Sequence, residues 1–238
     1  MSIKSLIKRL LFPNTYDNTS YIKYLQRNHV IIGDGTFFFS PNHTTVDVVA
    51  PYMIKIGCYC KITSGVTILA HDYSRSVFRR STPEGIYMGG RSPVNIGDNV
   101  FIGINSIILM GTTIGDNCII GAGAVVKGNF PSNSVIAGNP AKVICSTSEY
   151  YDKCKSRWVE EAKRCVNAFV KNSGRLPTRS ELSGFSWMFT EHSIETVHEN
   201  LSVVDLKGDK IEEVINSFLS SKPIYKSYED FIDDCNLE

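Results

Sequence analysis

The sequence has no long apolar run, no dominant charge and no obvious cysteine framework. No stretch of its 238 residues approaches the roughly 18 apolar residues that a membrane-spanning helix needs. Its 25 basic and 24 acidic residues leave a formal net charge of +1, so no general field attracts nucleic acid. The seven cysteines are odd in number and lack the spacing of metal ligands. This pattern favours a location in the reducing cytoplasm.

The N-terminal residues 1–29 are predicted to form a helical segment. Ile3–Leu11 is apolar at helical spacing with a basic opposite face, and it lacks the apolar run and cleavage site of a signal peptide. Such a helix can lie on the inner surface of a membrane. We favour the alternative that it packs on its own protein. A second short helix is expected near Tyr21–Arg27.

The sequence does have a strict six-residue repeat. An aliphatic residue returns every six positions, a small residue follows it four places later, and turn residues such as Gly-Asp-Asn lie between. The aliphatic positions are Ile96, Ile102, Ile108, Ile114, Ile120 and Val126, and the small ones are Val100, Ser106, Thr112, Cys118 and Ala124. A helix repeats every 3.6 residues and cannot give this period, whereas short strands joined by tight corners can. The repeat therefore predicts a solenoid, whose stacked coils bury each other's faces.

The same phase extends towards the N-terminus and then breaks. Counting in sixes through Ile56 gives Ile32, Phe38, Thr44, Ala50, Ile62 and Ile68. The 28 residues from Ile68 to Ile96 are not a multiple of six. Residues 74–93 are therefore predicted to leave the solenoid as a basic loop, and a loop of this length favours a functional role.

Residues 146–238 are predicted to form an α-helical extension that caps the end of the solenoid. Ser146–Glu149 and Thr178–Glu181 have the capping-box pattern. The buried stripe of the first helix is predicted as Tyr150, Cys154, Trp158, Ala162, Cys165 and Phe169. Further helices are expected near Ile194–Leu201, Lys210–Leu219 and Tyr228–Cys235.

Three features together resemble a known family. They are the hexads, the motif Ile68-Leu-Ala-His71-Asp72-Tyr73 before the loop, and the closing Ala137-Gly-Asn-Pro-Ala-Lys-Val-Ile144. Residues 30–145 resemble the hexapeptide-repeat acyltransferases and are most similar to galactoside, maltose and serine acetyltransferases and bacterial cell-surface sugar O-acetyltransferases. The resemblance implies a mainly β fold, a left-handed parallel β-helix with three hexads per coil. It also implies a homotrimer with active sites at subunit interfaces and acetyl-CoA as co-substrate.

The same resemblance assigns roles to individual residues. His71 matches the catalytic histidine, and Phe101 takes the place of a tryptophan beside the active site. The positions that match the coenzyme A track are Phe101, Gly103, Ile104, Gly121, Ala122 and Lys127, with Lys142 at the nucleotide end. Candidate acceptor-binding residues are Thr63, Asp72, Tyr73 and Arg75. The chain departs from the family where the usual Thr-Lys is replaced by Lys127-Gly128.

Acetyl transfer to a hydroxyl needs a base, and histidine suits this role at neutral pH. His71 falls on a corner position of its hexad, so its ring should point outward. The group that orients it stays open between Asp72 and a backbone carbonyl. A backbone N–H near Gly103 or Ile104 is the candidate oxyanion donor. No nucleophile is paired with His71, which favours direct transfer in a ternary complex over an acyl-enzyme.

The favoured function is acetylation of a sugar hydroxyl, in capsule or O-antigen modification. An amine, a serine or an antibiotic hydroxyl is an alternative acceptor, and a non-catalytic structural solenoid is a further alternative. A hexapeptide carbonic anhydrase would need three histidine ligands on neighbouring coils, and only His43 and His71 lie in the coils. We therefore expect no metal. Because the formal net charge is only +1, we also expect no nucleic-acid partner.

Overall fold

The fold is described from a computed structural model of the chain, which describes residues 3–84, 87–203 and 206–236. The chain divides into two compact units, Met1–Tyr150 and Tyr151–Glu238. The first unit contains short strands stacked into three sheets, and the second is helical. We describe each unit separately.

Two helices begin the first unit, α1 (Ile3–Leu11) and α2 (Asn18–Arg27). The Asp17 side chain caps α2 by accepting a hydrogen bond of 2.8 Å from the Ser20 amide. Tyr21 and Leu25 of α2 are buried, and the Tyr21 ring meets the Phe38 ring edge-on at 5.0 Å. This aromatic contact attaches α2 to the first coil of the solenoid.

The apolar face of α1 is not covered. Leu6 and Ile7 are about half exposed, and Leu10 and Leu11 are 73% and 68% exposed. The favoured interpretation, a helix packed on its own protein, is therefore wrong for these side chains. None of the helices within the described ranges is both long and apolar enough to cross a membrane.

The strands stack into three mostly parallel sheets. Sheet A contains β1 (Ile31–Ile32), β4 (Ile54–Ile56), β9 (Val94–Ile96), β12 (Thr113–Ile114) and β15 (Asn129–Phe130). Sheet B contains β2 (Phe37–Phe38), β5 (Lys61–Ile62), β10 (Phe101–Ile102), β13 (Ile119–Ile120) and β16 (Ser134–Gly138), and antiparallel β17 (Ala141–Ser146) covers its last edge. Sheet C contains β3 (Thr45–Val46), β6 (Thr67–Ile68), β11 (Ile107–Ile108) and β14 (Val125–Val126). The chain visits A, B and C in turn, which confirms the predicted parallel solenoid.

The repeat positions form the core. In sheet C, Ile108 aligns with Ile68 on one side and Val126 on the other, and all three are fully buried. The small residues fill the space between these rows and satisfy their own polar groups. Ser106, for example, donates to the carbonyls of Gly103 and Gly121 at 2.8 and 2.9 Å. Burial of the aliphatic ladder is the main stabilising term of the solenoid.

The backward count of hexads is wrong in the first coil. Three hexads per coil would align Ala50 with Ile68, but Val46 aligns with Ile68 instead. The 3-10 turns Pro41–His43 and Pro51–Met53 lie on either side of β3 and supply the additional residues. A proline at the start of each turn favours this local departure from the six-residue rhythm.

The chain leaves the solenoid between sheets C and A of the second coil. After β6 come β7 (His71–Asp72), a 3-10 turn at Ser74–Val77 and the short α3 (Phe78–Ser81). The chain returns through β8 (Gly90–Arg91), which pairs antiparallel with β7. The excursion leaves the stacking of Ile68 on Ile108 intact. Residues 85 and 86 of the predicted loop lie outside the described residues.

The second unit begins within α4 (Thr147–Ser173) and continues with a 3-10 stretch (Ser180–Met188), α5 (Ile194–Val203), α6 (Ile211–Ser220) and α7 (Tyr228–Asp233). Its core contains Ala162, Val166, Leu182, Met188, Phe189 and Phe231. The predicted stripe on α4 is wrong in part, because Cys154 and Cys165 are exposed whereas Val166 is buried. An i+4 step from Ala162 follows the 3.6-residue period better than the i+3 step that we predicted.

Both predicted capping boxes are present. Glu149 accepts from the Ser146 amide at 2.7 Å, and the Ser146 hydroxyl accepts from the Glu149 amide at 3.1 Å. Thr178 and Glu181 make the same reciprocal pair at 2.8 and 3.3 Å. Hydrogen bonds from Arg175 and from Thr178 lower the pKa of Glu181 to about 2.

Candidate active site

The structure places His71 against a carboxylate from the preceding coil. His71 begins β7 directly after sheet C, and Asp47 follows β3 in the same sheet. Because Val46 aligns with Ile68, both residues leave sheet C at one corner, which we call corner C–A. His71 Nδ1 lies 2.5 Å from Asp47 Oδ2.

The Asp47 carboxylate is buried and fully hydrogen-bonded. Its Oδ1 accepts from the Val49 amide at 2.7 Å, and its Oδ2 accepts from the Ala70 amide at 3.0 Å as well as from His71. Burial raises the pKa of Asp47, but the bonds from His71, Val49 and Ala70 outweigh burial and hold this pKa below its ordinary value of 3.8. The carboxylate is therefore ionised at neutral pH.

An ionised carboxylate only accepts hydrogen bonds, so His71 Nδ1 must carry the proton that it shares with Asp47. In the neutral ring this leaves Nε2 as the basic nitrogen. Within the described ranges Nε2 makes no hydrogen bond, and the His71 side chain is 30% exposed. The ring thus presents its basic nitrogen to a substrate at corner C–A.

Sequence reasoning missed Asp47 and offered Asp72 or a backbone carbonyl instead. Asp72 accepts from the Ser74 amide and hydroxyl, both at 2.7 Å, and so starts the turn into the excursion. The missed signal was a lone acid in the apolar run Val46-Asp47-Val48-Val49. A carboxylate in such a run is rarely buried without a partner.

The corner between sheets B and C, corner B–C, carries free amides. The N–H groups of Ile104 and Ala122 have no hydrogen-bond acceptor in the described part of the chain, and Ile104 is 52% exposed. The Ile104 carbonyl is used, because it accepts from Gly123 at 2.8 Å. Two outward-facing donors therefore follow each other from one coil to the next.

Three predicted coenzyme residues support this corner without offering free donors. The Gly103 amide donates to Ile120 at 2.9 Å, so it is not an oxyanion donor. The Gly121 amide donates to Ile136 at 2.8 Å. A Cβ at Gly103 would lie 2.6 Å from the Ala122 nitrogen, so only glycine permits this stacking. Phe101 is 39% exposed on the outer face of sheet B.

The remaining predicted residues are distributed over the surface of the solenoid. Thr63 follows β5 at corner B–C, and its hydroxyl donates to the Ile102 carbonyl at 2.7 Å. Lys127 follows β14 at corner C–A, where its charge adds to the lowering of the Asp72 pKa, after the Ser74 bonds and Arg75. Lys142 is exposed on β17 opposite Ala137. Within one chain, sheet C separates the histidine corner from the amide corner.

The excursion places aromatic and basic side chains beside His71. Tyr73 is 64% exposed, and the Arg79 guanidinium lies 5.4 Å from its ring centroid and 4.4 Å from that of Tyr87. Arg75 Nη1 donates to the Gly89 carbonyl at 2.8 Å. Among the residues that the structure describes, no group of three histidine, cysteine or acidic side chains is placed to hold a metal ion.

The parallel solenoid of six-residue segments agrees with the fold that the resemblance implies. A family model described as the hexapeptide repeat of succinyl-transferase matches residues 93–127. Protein CapG of Staphylococcus aureus is 42% identical over 142 residues, which cover 56% of this chain and 80% of CapG. The chain belongs to the hexapeptide-repeat acyltransferase family, which confirms the resemblance and the prediction of an acyltransferase enzyme.

The chain is also similar to two further proteins. WbbJ of Escherichia coli K12, whose name assigns it to lipopolysaccharide biosynthesis as an O-acetyl transferase, is 36% identical over 120 residues. These residues cover 47% of this chain and 61% of WbbJ. The crystal structure of a maltose O-acetyltransferase from Clostridium difficile 630 is 28% identical with a TM-score of 0.40, and the match covers 60% of this chain and 84% of that one.

Proposed function

We propose that this protein transfers an acetyl group from acetyl-CoA to a sugar hydroxyl of a cell-surface polysaccharide, such as capsule or O-antigen. The observation that carries the proposal is the Asp47–His71 pair, which leaves a basic nitrogen exposed at a corner of the solenoid. Membership of the acyltransferase family and the name of WbbJ support the reaction and the acceptor class.

In the proposed reaction the acceptor hydroxyl donates its proton to His71 Nε2 as its oxygen attacks the thioester carbonyl. The tetrahedral intermediate then expels the coenzyme A thiolate, which receives the proton back from His71. Asp47 stabilises the imidazolium that forms between these steps. No serine or cysteine among the described residues is hydrogen-bonded to His71, which supports direct transfer in a ternary complex. A base of this kind contributes roughly 10²–10⁴-fold to the rate.

The coenzyme fits corner B–C. The amide carbonyls of an extended pantetheine arm can accept from the free N–H groups of Ile104 and Ala122. Gly103 and Gly121 have no side chains to obstruct the arm, and Phe101 lies on the adjoining face. Lys127 and Lys142 are the proposed partners of the phosphates. When bound, acetyl-CoA supplies the activated acetyl group.

We propose a homotrimer in which each site lies between two subunits. In one chain sheet C separates His71 from Ile104, so a site that uses both needs the second copy. In that arrangement the Ile104 amide of one subunit stabilises the oxyanion formed beside His71 of the next. The family also supports left-handed winding of the coils. Light scattering of the purified protein checks the trimer.

The proposed location is the cytoplasm, at the inner membrane surface. The uncovered side chains of Leu6, Ile7, Leu10 and Leu11 support contact with lipid, and Arg9 suits an anionic headgroup. Sedimentation with phosphatidylglycerol vesicles tests this, with Leu10→Glu expected to stay in the supernatant. Equal sedimentation of both proteins would contradict membrane contact through α1.

An acetyl-transfer assay tests the function. The full chain, acetyl-CoA and a panel of saccharides, amines and non-sugar alcohols are incubated, and the products are read by mass spectrometry. We expect an O-acetylated saccharide, with transfer reduced roughly 10²–10⁴-fold by His71→Ala and unchanged by the control His43→Ala. Full activity of His71→Ala, or acetylation of an amine alone, would overturn the proposal.

A further inference from the structure

An arginine lies directly opposite the candidate base. In the antiparallel pair of β7 and β8, Arg91 is the cross-strand partner of His71. Directly opposed residues of an antiparallel pair lie on the same face, with Cβ atoms about 5 Å apart. The Arg91 side chain is exposed, and its Nη1 donates to the Tyr52 hydroxyl at 3.3 Å. A fixed positive charge thus stands beside the site of proton transfer.

A second arginine follows the same strand. Arg75 Nη1 donates to the Gly89 carbonyl, and Arg75 Nε lies 3.4 Å from the position that a Cβ on Gly90 would take. Because successive residues of a strand point to opposite faces, Arg75 lies on the face that Asp72 and Gly90 share, and Arg91 lies on the other face with His71. Each keeps at least two guanidinium nitrogens free of described hydrogen bonds, which is the number that a bidentate contact uses.

No carboxylate neutralises Arg91. In the described ranges neither Arg75 nor Arg91 lies within ion-pair distance of an acidic side chain. Asp72 is nevertheless near Arg75, because after the Ser74 hydrogen bonds the Arg75 charge also lowers the pKa of Asp72. Residues 74–93 contain four arginines and a single acidic residue, Glu84. An unneutralised guanidinium beside a reaction site favours an anionic ligand.

The position of Arg91 indicates that its anionic ligand is the acceptor and not the coenzyme. The excursion begins within two residues of His71, where the acetyl group and the acceptor meet. The free amides proposed for the pantetheine arm lie at the other edge of sheet C. The coenzyme's phosphates lie at the far end of that arm, away from the reacting carbonyl.

We propose that the acceptor is an anionic saccharide, whose carboxylate or phosphate is bound by Arg91 while a neighbouring hydroxyl reaches His71. The exposed rings of Tyr52 and Tyr73 offer faces on which a sugar can stack. This inference rests on the proposed function and specifies the substrate class of the same site.

Direct binding tests the anion site without knowledge of the natural sugar. D-glucuronate and inorganic phosphate are each titrated against the full chain by isotope-edited NMR, with and without saturating coenzyme A. We expect both anions to bind in the presence of coenzyme A, and binding to weaken at least ~10-fold in Arg91→Gln. Arg80→Gln, which removes the same charge from the same loop, should bind as the wild type does.

Kinetics then separate the possible sources of the anion. Acetylation is compared for a galacturonate trisaccharide, its carboxyl-reduced neutral counterpart and galactose 1-phosphate. Arg91→Gln should raise the KM for the charged acceptor at least ~10-fold with the KM for acetyl-CoA unchanged, and Arg91→Lys should restore part of the loss. Preference for the carboxylate or the phosphate acceptor identifies which anion the site takes.

Three outcomes would overturn the inference. They are anion binding that is unaffected by Arg91→Gln, anion binding that coenzyme A abolishes, and equal use of the neutral trisaccharide. The second would assign Arg91 to the coenzyme's phosphates. If instead the wild type neither binds coenzyme A nor transfers acetyl to any acceptor, the proposed function fails, and the inference fails with it.

Discussion

Two corners of the solenoid use the same six-residue pattern and treat their amides differently. At the corner between sheets A and B, corner A–B, the Asp98 amide donates to Asp116 Oδ1 at 2.8 Å. The Cys58 amide likewise donates to Asp98 Oδ1 at 2.7 Å, and the Asp116 amide donates to Ser132 Oγ at 2.9 Å. At corner B–C the equivalent residues are Ser64, Ile104 and Ala122, and neither Ile104 nor Ala122 has a side-chain acceptor to offer.

The two corners differ in whether their backbone amides are satisfied within the chain or left free for a ligand. Corner A–B satisfies every donor of this series from within the chain, and Asn99, Asn117 and Asn133 add a ladder of side-chain amides at 2.9 and 3.2 Å. The amides of Cys58, Asp98 and Asp116 are therefore not free to bind a ligand. Corner B–C leaves its donors exposed, which is tolerable because water can bind them and useful because a substrate can replace that water.

The largest effect should come from the core that both corners share. Ile108→Asp places an unpaired charge in sheet C, at a side chain with no exposed surface, so we expect loss of the folded solenoid. Circular dichroism and solubility measure this. Ile31→Asp makes the same substitution at a side chain that is 58% exposed and should fold. A soluble, active Ile108→Asp protein would mean that the register is misread.

The next effect concerns corner C–A. Asp47→Asn removes the charge that stabilises the His71 imidazolium, and its amide favours the proton on the wrong ring nitrogen. We expect kcat to fall by roughly 10²–10⁴-fold, about as much as for His71→Ala. Asp98→Asn, whose amide oxygen can still accept from Cys58, is the matched control and should keep its activity. Normal turnover of Asp47→Asn would remove Asp47 from the mechanism.

The same carboxylate predicts a pH dependence of stability. The pKa of Asp47 in the folded protein is below its ordinary value of 3.8. Its contribution is therefore fully present above pH 3.8 and is lost as pH falls through the lower, folded pKa. Urea unfolding at several pH values should show the stability advantage of wild type over Asp47→Asn shrinking in acid. A constant difference would contradict this assignment.

The smallest effects test the corners directly. Ala122→Asp should close corner B–C, because the new carboxylate can accept from Ile104 as Asp116 accepts from Asp98. Gly103 leaves room beneath it, as Gly97 does beneath Asp116. We expect unchanged thermal stability and coenzyme A affinity at least ~10-fold weaker, measured by calorimetry.

The reverse change opens the closed corner and serves as the control. Asp116→Ala should cost about 1 kcal/mol of unfolding free energy and leave coenzyme A affinity unchanged. If Ala122→Asp binds coenzyme A normally, or if Asp116→Ala weakens that binding, the distinction between the two corners is wrong.

The sequence predicted the solenoid and the exposed histidine because a six-residue period is a local signal. It could not predict Asp47, because the pairing with His71 depends on two 3-10 turns that lengthen the first coil. The free amides of Ile104 and Ala122 could not be predicted for a related reason. They depend on whether a side chain one coil away supplies an acceptor, and Ile104 and Asp98 look alike as corner residues until the stacking is known. The predicted buried stripe on α4 is wrong at Cys165, because a shift of one residue along the helix decides which side chain is buried.

The excursion after Asp72 has a consequence for how this chain can change. Ile68 stacks on Ile108, and the Leu69 amide donates to the Ile108 carbonyl at 2.9 Å, whatever lies in between. The loop is therefore an insert whose length and residues can vary without disturbing the coils on either side. Under the proposed function, a change in this loop alone would change the acceptor preference and leave the coils and His71 unaltered.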